Sequence, residues 1–176
     1  MPTTSTVTVP STSVPPTTAY LPPPCQTKLL QISAVGSGAA AGNVGKTILF
    51  TNLNKIACSL SGYPGVAALD LQGNQVAQAM RQLSGMVGGL HNNATTVPVV
   101  TLAPGQVASA EVEGTDNPVG TATSCTYYPL FLVTPPGETQ SVTVSVSLAG
   151  SNISGFPGCS PISVNPVVPG STGRLD

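Results

Sequence analysis

The sequence predicts an all-β domain, a two-sheet immunoglobulin-like β-sandwich stapled by disulfides and preceded by a disordered N-terminal tail. Three observations predict it: short stretches that alternate apolar and polar residues, Gly, Pro and Asn clusters spaced about ten positions apart, and four widely separated cysteines. The clearest stretch is Ser141 to Leu148, where Val142, Val144, Val146 and Leu148 share one face of a strand and hydroxyl residues occupy the other. Gln106 to Glu113 repeats the pattern, with Ala108, Ala110 and Val112 expected inward and Ser109, Glu111 and Glu113 outward. Paired carboxylates can do acid–base chemistry, but at period two on an amphipathic strand they read as its solvated face.

Further strands are expected at Lys28 to Ser33, Lys46 to Asn52, Val66 to Leu71, Gln75 to Met80, Val97 to Leu102, Tyr128 to Thr134 and Ile162 to Asn165. Gln72-Gly73-Asn74 is a hairpin turn, and Pro104-Gly105 and Pro135-Pro136-Gly137 punctuate other connections. Residues 76 to 87 also fit a short helix through Val76, Met80, Leu83 and Val87. Gly85, Gly88 and Gly89 make the C-terminal half of that helix costly, so a strand followed by a loop is preferred.

Chain length and hydrophobic content, 176 residues of which 40% are hydrophobic, suit one domain with flexible ends. Residues 1–24, rich in Thr, Ser and Pro and without charge, read as a disordered tether, residues 25–170 as the sandwich, and residues 171–176 as a flexible C-terminal tail. The tether composition suits O-glycosylation as well as a plain spacer. Only 6% of residues are charged and the formal net charge is -1. Lys28, Lys46, Lys55, Arg81 and Arg174 stand singly, which argues against a nucleic-acid surface and against a polybasic membrane anchor. No apolar run approaches the roughly 20 residues of a spanning helix.

Cys25, Cys58, Cys125 and Cys159 form no CxxC pair, and the single histidine, His91, is remote in sequence from all of them. Two disulfides in an oxidising compartment are therefore expected, with no metal and no cofactor. Met1-Pro2-Thr3 lacks the charged and apolar regions of a signal peptide, so a secreted or extracytoplasmic chain is expected to have lost it. Pro22-Pro23-Pro24 before Cys25 lacks a lipoprotein signal.

Catalytic motifs are weak. Gly36-Ser37-Gly38-Ala39-Ala40-Ala41-Gly42-Asn43-Val44-Gly45-Lys46-Thr47 approximates a phosphate-binding loop, but Ala40 stands where a glycine is required and a strand follows where a helix is needed. A serine triad would depend on His91 and lacks a nucleophile elbow. Asn93-Ala94-Thr95 and Asn152-Ile153-Ser154 match the N-glycosylation pattern. Tyr63, Tyr127 and Tyr128 are the candidate binding residues, since an aromatic body with a polar tip suits glycan or protein contact, although core or corner packing is the stronger reading for them. No catalytic residue is expected.

The stretch "GNVGKTILFTNLNKIACSLSGYPGV" resembles the hallmark of the family called domain of unknown function 4232, found in secreted proteins and lipoproteins of actinobacteria, mycobacteria included. "LDLQGNQV", "VTLAPGQVASAEV", "CTYYPLFLVTPPGE" and "CSPISVNPVVPG" are similar to its later blocks, in the same order. The resemblance implies an extracytoplasmic β-sandwich with paired cysteines and no assigned activity; the segment from Gln82 to Val97 is longer and richer in glycine than the family pattern. Four cysteines allow three pairings. Cys25 with Cys58 and Cys125 with Cys159 is the preferred one, because it closes each half locally.

The combined expectation is a non-catalytic exported β-sandwich module of the bacterial cell envelope or secretome. Its partner would be an unidentified envelope or host protein or glycan. The alternative is a carrier holding a lipid or other apolar ligand between the sheets.

Overall fold

The computed structural model describes residues 1, 21–118, 120–121, 123–146 and 155–175. Leu148, the Asn152-Ile153-Ser154 acceptor pattern and most of the tether lie outside the described residues. A single 3-10 turn, Thr27–Leu29, is followed by β1 (Leu30–Ala40), β2 (Asn43–Asn52), β3 (Cys58–Ser61), β4 (Gly65–Leu69) and β5 (Gln75–Gln78). Next come β6 (Met80–Arg81), β7 (Val99–Leu102), β8 (Val107–Thr115), β9 (Thr126–Tyr128) and β10 (Leu130–Thr134). The chain closes with β11 (Val142–Ser145), β12 (Phe156–Gly158), β13 (Ser163–Val164) and β14 (Val168–Pro169). The fold is all-β.

Four sheets form where two were expected. The largest runs β1-β2-β8-β13-β6 with β14 also paired to β8; a second runs β11-β10-β4-β5; β12-β9 and β3-β7 are two-stranded ribbons. Prolines explain part of the division. Pro64 between β3 and β4, and Pro129 between β9 and β10, have no N–H to donate, so each ladder breaks there. Among the described strands, β13 and β6 pair in parallel and the other pairs are antiparallel; isolated parallel bridges also join Pro24 to Ser59 and Gly89 to Arg174.

One core joins these sheets. Ile48 and Phe50 of β2, Val66 and Ala68 of β4, Leu102 of β7, Ala110 and Val112 of β8, Phe131 and Val133 of β10 and Phe156 of β12 belong to one buried cluster. Phe131 and Phe156 meet edge to face, with ring centroids 5.4 Å apart. Val144 and Val146 are buried while Thr143 and Ser145 are exposed, as the alternation of that stretch requires.

Two readings already disfavoured by the sequence find no place in the fold, and both ends of the domain differ from expectation. The glycine-rich stretch before Lys46 is no phosphate loop: Gly36 to Ala40 continue β1, and Ala41 and Gly42, at φ 50° and 79°, make the two-residue turn into β2. Positive φ at both central residues matches the right-handed twist of a hairpin. Residues 76 to 87 contain β5 and β6 and no helix; helical spacing lost to the pairing of β5 with β4 and of β6 with β13. Of the expected tail 171–176, the described residues 171–175 are tied to the fold, since Gly173 is buried and Leu175 N–H donates to Gly89 O. Nor does the fold wait for Cys25, because Ser59 N–H donates to Pro23 O and Ser59 Oγ to Pro22 O.

Disulfides join Cys25 to Cys58 and Cys125 to Cys159. The first ties the start of the fold to the start of β3, and the second ties the approach to β9 to the end of β12. Two carboxylates organise turns. Asp70 Oδ1 accepts N–H groups from Gln72 and Asn74 at 2.9 and 2.8 Å, which fixes the β4–β5 turn around Gly73 at φ 83°. Glu138 Oε2 accepts the Thr27 N–H at 2.9 Å and the Thr27 hydroxyl at 2.7 Å, linking the 3-10 turn to the β10–β11 connection. Hydrogen bonds from the Asn74 side chain and backbone hold Asp70 below its ordinary carboxylate range, and those from Thr27 do the same for Glu138.

Two predictions follow from these ties. Replacing Cys25 and Cys58 together by Ser should cost about 3 to 4 kcal/mol, from the entropy of a loop of this length, read as a lower urea midpoint with a raised m-value as the unfolded chain expands. Because the Glu138 pKa is depressed in the folded chain, its contribution is complete above its ordinary value of 4.5 and is lost as pH falls through the lower folded value. Amide exchange at Thr27 should accelerate over that window in the native protein, and Glu138→Gln should remove the pH dependence.

Candidate functional site

β8 is buried along both of its faces, with only its end residues Val107 and Thr115 partly exposed. Alternation sends Ala108, Ala110 and Val112 to the core beside Ile48 and Phe50. Ser109, Glu111 and Glu113 turn to the opposite face, where the register sets them beside Leu49, Thr47 and Gly45 of β2. These three polar residues were expected in solvent, and instead they are 0%, 0% and 6% exposed. The expectation failed because a second layer covers that face.

The cover consists of the loop after β6 and the end of the chain. Glu113 accepts the Met86 N–H at Oε2 and the Gly88 N–H at Oε1, both at 2.8 Å. Thr47 Oγ1 donates to Glu111 Oε2 at 2.7 Å, and Ser109 Oγ accepts the Gly173 N–H at 2.9 Å. Gly89 N–H donates to Gly173 O at 2.9 Å, which joins the two parts of the cover to each other. Asn165 N–H donates to Glu111 O and its Nδ2 to Gln82 O, while its buried Oδ1 has no hydrogen-bond partner.

Glycine is required at this layer for space. A Cβ at Gly85 would enter the Glu113 carboxylate, one at Gly88 would lie 2.8 Å from Gly173 O, and one at Gly173 would strike Glu111. Gly89 adds a conformational reason, with φ 94° and Leu83 O 2.7 Å from the position of a Cβ. A carboxylate accepting two charge-assisted backbone hydrogen bonds is a strong fixed anchor. Glu113 therefore acts as a positioning group for the loop.

A polar cleft of about 380 Å³ opens beside this anchor, lined by Asn43, Gln82, Ser84, Met86, Asn92, Glu113, Thr115, Ser160 and Ser163 among others. Met86, 62% exposed, stands between it and a second cleft of about 430 Å³ that Thr47, Val87, Ser171 and Thr172 help to line. His91 is exposed in the same loop. Lys46 has the opposite setting: it lies 3% exposed on the core face of β2, and desolvation lowers its pKa while the charge of Glu111 works the other way.

The tyrosines do not converge on this cleft. The Arg81 guanidinium lies 5.8 Å from the ring centroid of Tyr63, beside the sheet edge formed by β6. Tyr127 and Tyr128 sit on the β9–β12 ribbon, where Tyr127 is 43% exposed and Tyr128 packs against the core. Sequence reasoning missed Thr47, Ser109, Glu111, Glu113 and Asn165. Among the described residues, no three His, Cys, Asp or Glu side chains could hold a metal ion together. No helix among them is long and apolar enough to cross a membrane.

The model of the family described as domain of unknown function 4232 matches residues 25–167. The chain belongs to that family. No curated protein and no solved structure is significantly similar to it. The matched span contains β8, the loop that covers it and the lining of the polar cleft, while Gly173, which completes the cover, follows it.

Two substitutions test the cover. Gly88→Ala should destabilise the fold by about 1 to 3 kcal/mol, as overpacking does, measured by chemical denaturation. Glu113→Ala should leave β8 paired and raise amide exchange at Met86 and Gly88 at least tenfold, the response expected when a local opening equilibrium loosens.

Proposed function

We propose that this chain is a non-catalytic, exported module of the cell envelope or secretome, with its two larger sheets facing as a sandwich. We place its contact with a neutral glycan at the polar cleft beside Glu113. The observation that carries this reading is the chemistry of the lining. Asn43, Gln82 and Asn92 offer amides, and Ser84, Thr115 and Ser163 offer hydroxyls, so donors and acceptors are mixed as a polyhydroxyl ligand needs. Among the described residues that line it none is cationic, which disfavours an anion, and both oxygens of Glu113 already accept backbone N–H groups.

The same arrangement supports a binding role over hydrolysis. Glycoside cleavage needs two accessible carboxyl groups flanking the bond. Glu111 shares a face with Glu113, but it is buried and absent from the cleft lining. A lipid carrier is the other reading. Phe50, Phe131, Leu60 and Leu102, each 0 or 1% exposed, fill the space between sheets that an acyl chain would need, and this favours the cleft.

Titration with a panel of neutral oligosaccharides, followed by amide NMR, should shift the side-chain NH2 signals of Asn43, Gln82 and Asn92. Asn43→Ala combined with Gln82→Ala should weaken binding at least tenfold, about 1.4 kcal/mol, without changing the fold. Shifts confined to other surfaces, or release of reducing ends that Glu113→Gln abolishes, would overturn the reading.

A further inference from the structure

At the opposite, core-facing side of β2, a small, partly open pocket of about 190 Å³ has Tyr127 in its lining. Val44, Val146, Phe156 and Pro157 give it apolar walls, Lys46 lines its interior side and Asp116 its mouth. Alternation along β2 explains how a lysine comes to be there: Lys46 shares the inward face with Ile48 and Phe50, at the end of the strand where the core thins. Its neighbours across the register, Gly36 and Val112, supply no charge.

A buried ammonium is costly unless something negative pairs with it. The Glu111 charge acts on Lys46, yet Glu111 projects from the other face of the sheet and already accepts the Thr47 hydroxyl. Among the described residues, no hydrogen bond or ion pair engages the Lys46 ammonium. Asp116 is exposed, so water screens its charge far more than that of Lys46. Lys46 is therefore the one buried cation of the pocket lining among the described residues, and the walls around it are apolar.

We propose that this pocket binds a small apolar anion, a carboxylate on a single ring or a short branched chain, with Lys46 as its counter-charge. Size agrees with that class, since an apolar cavity of about 150 Å³ accepts one benzene, and this pocket is somewhat larger at about 190 Å³. The apolar body fills the space between Val44, Val146 and Phe156. The carboxylate supplies the charged partner that the Lys46 ammonium lacks among the described residues. Tyr127, 43% exposed, completes the lining. This site is separate from the polar cleft and shares no lining residue with it.

Benzoate and 3-methylbutanoate are suitable probes, with benzyl alcohol as the neutral comparison for benzoate. In the wild-type protein, benzoate should shift the methyl signals of Val44 and Val146, raise the NMR titration midpoint of the Lys46 side chain, and bind at least tenfold more tightly than benzyl alcohol. Lys46→Met should lower benzoate affinity at least tenfold and leave benzyl alcohol binding intact. Equal affinity of wild-type protein for the charged and neutral probes overturns the proposal. So does the absence of shifts at Val44 and Val146, or shifts grouped around Asn43 and Ser163. The wild-type comparison decides the matter even if Lys46→Met does not fold.

Discussion

A central strand buried on both faces imposes a demand that the rest of this fold answers. Each polar group that β8 sends away from the core has lost water and must find a partner within the chain. Thr47 meets Glu111, Gly173 meets Ser109, and the backbone of Met86 and Gly88 meets Glu113. The loop after β6 and the chain end are thus ordered by carboxylate and hydroxyl groups, with little apolar burial of their own. Where that cover stops short of the sheet, the polar cleft begins.

Strand content and the sequence positions of most strands were legible, because period-two alternation and turn residues report local geometry directly. The β4–β5 turn could be read from Gln72-Gly73-Asn74, and the apolar face of β11 from Val142, Val144 and Val146. The second face of β8 could not. Ser109, Glu111 and Glu113 alternate with apolar residues in the same way whether water or backbone N–H groups satisfy them. The available signal lay elsewhere, in the concentration of glycine at Gly85, Gly88 and Gly89, a composition suited to backbone lying directly on carboxylates. That signal counted only against a helix, since nothing local linked those glycines to β8 or to Gly173.

Lys46 shows the same limit from the other direction. In sequence it belongs to a near-phosphate-binding motif and counts as one scattered cation; in the fold it occupies a core position at the thin end of the sheet. The tyrosines also separated once the strands paired, Tyr63 to the edge near Arg81 and Tyr127 with Tyr128 to the β9–β12 ribbon. Residue type identified candidates for contact, while long-range pairing decided which of them share a surface.

The two disulfides also determine how the domain carries mechanical load. Tension applied between Leu21 and Leu175 crosses from Cys25 directly to Cys58 and from Cys125 directly to Cys159, with covalent bridges spanning separations of 33 and 34 residues. The intervening segments, which contain β1 and β2 in one loop and β9 to β12 in the other, cannot be extended by that pull while the bridges are intact. Force falls instead on β3 to β8 and on the strands after Cys159, including the contacts between the chain end and Gly89. The hairpin of β1 and β2 is shielded from stretching, whereas the glycine-rich cover lies on the loaded path and would be among the parts exposed to yielding.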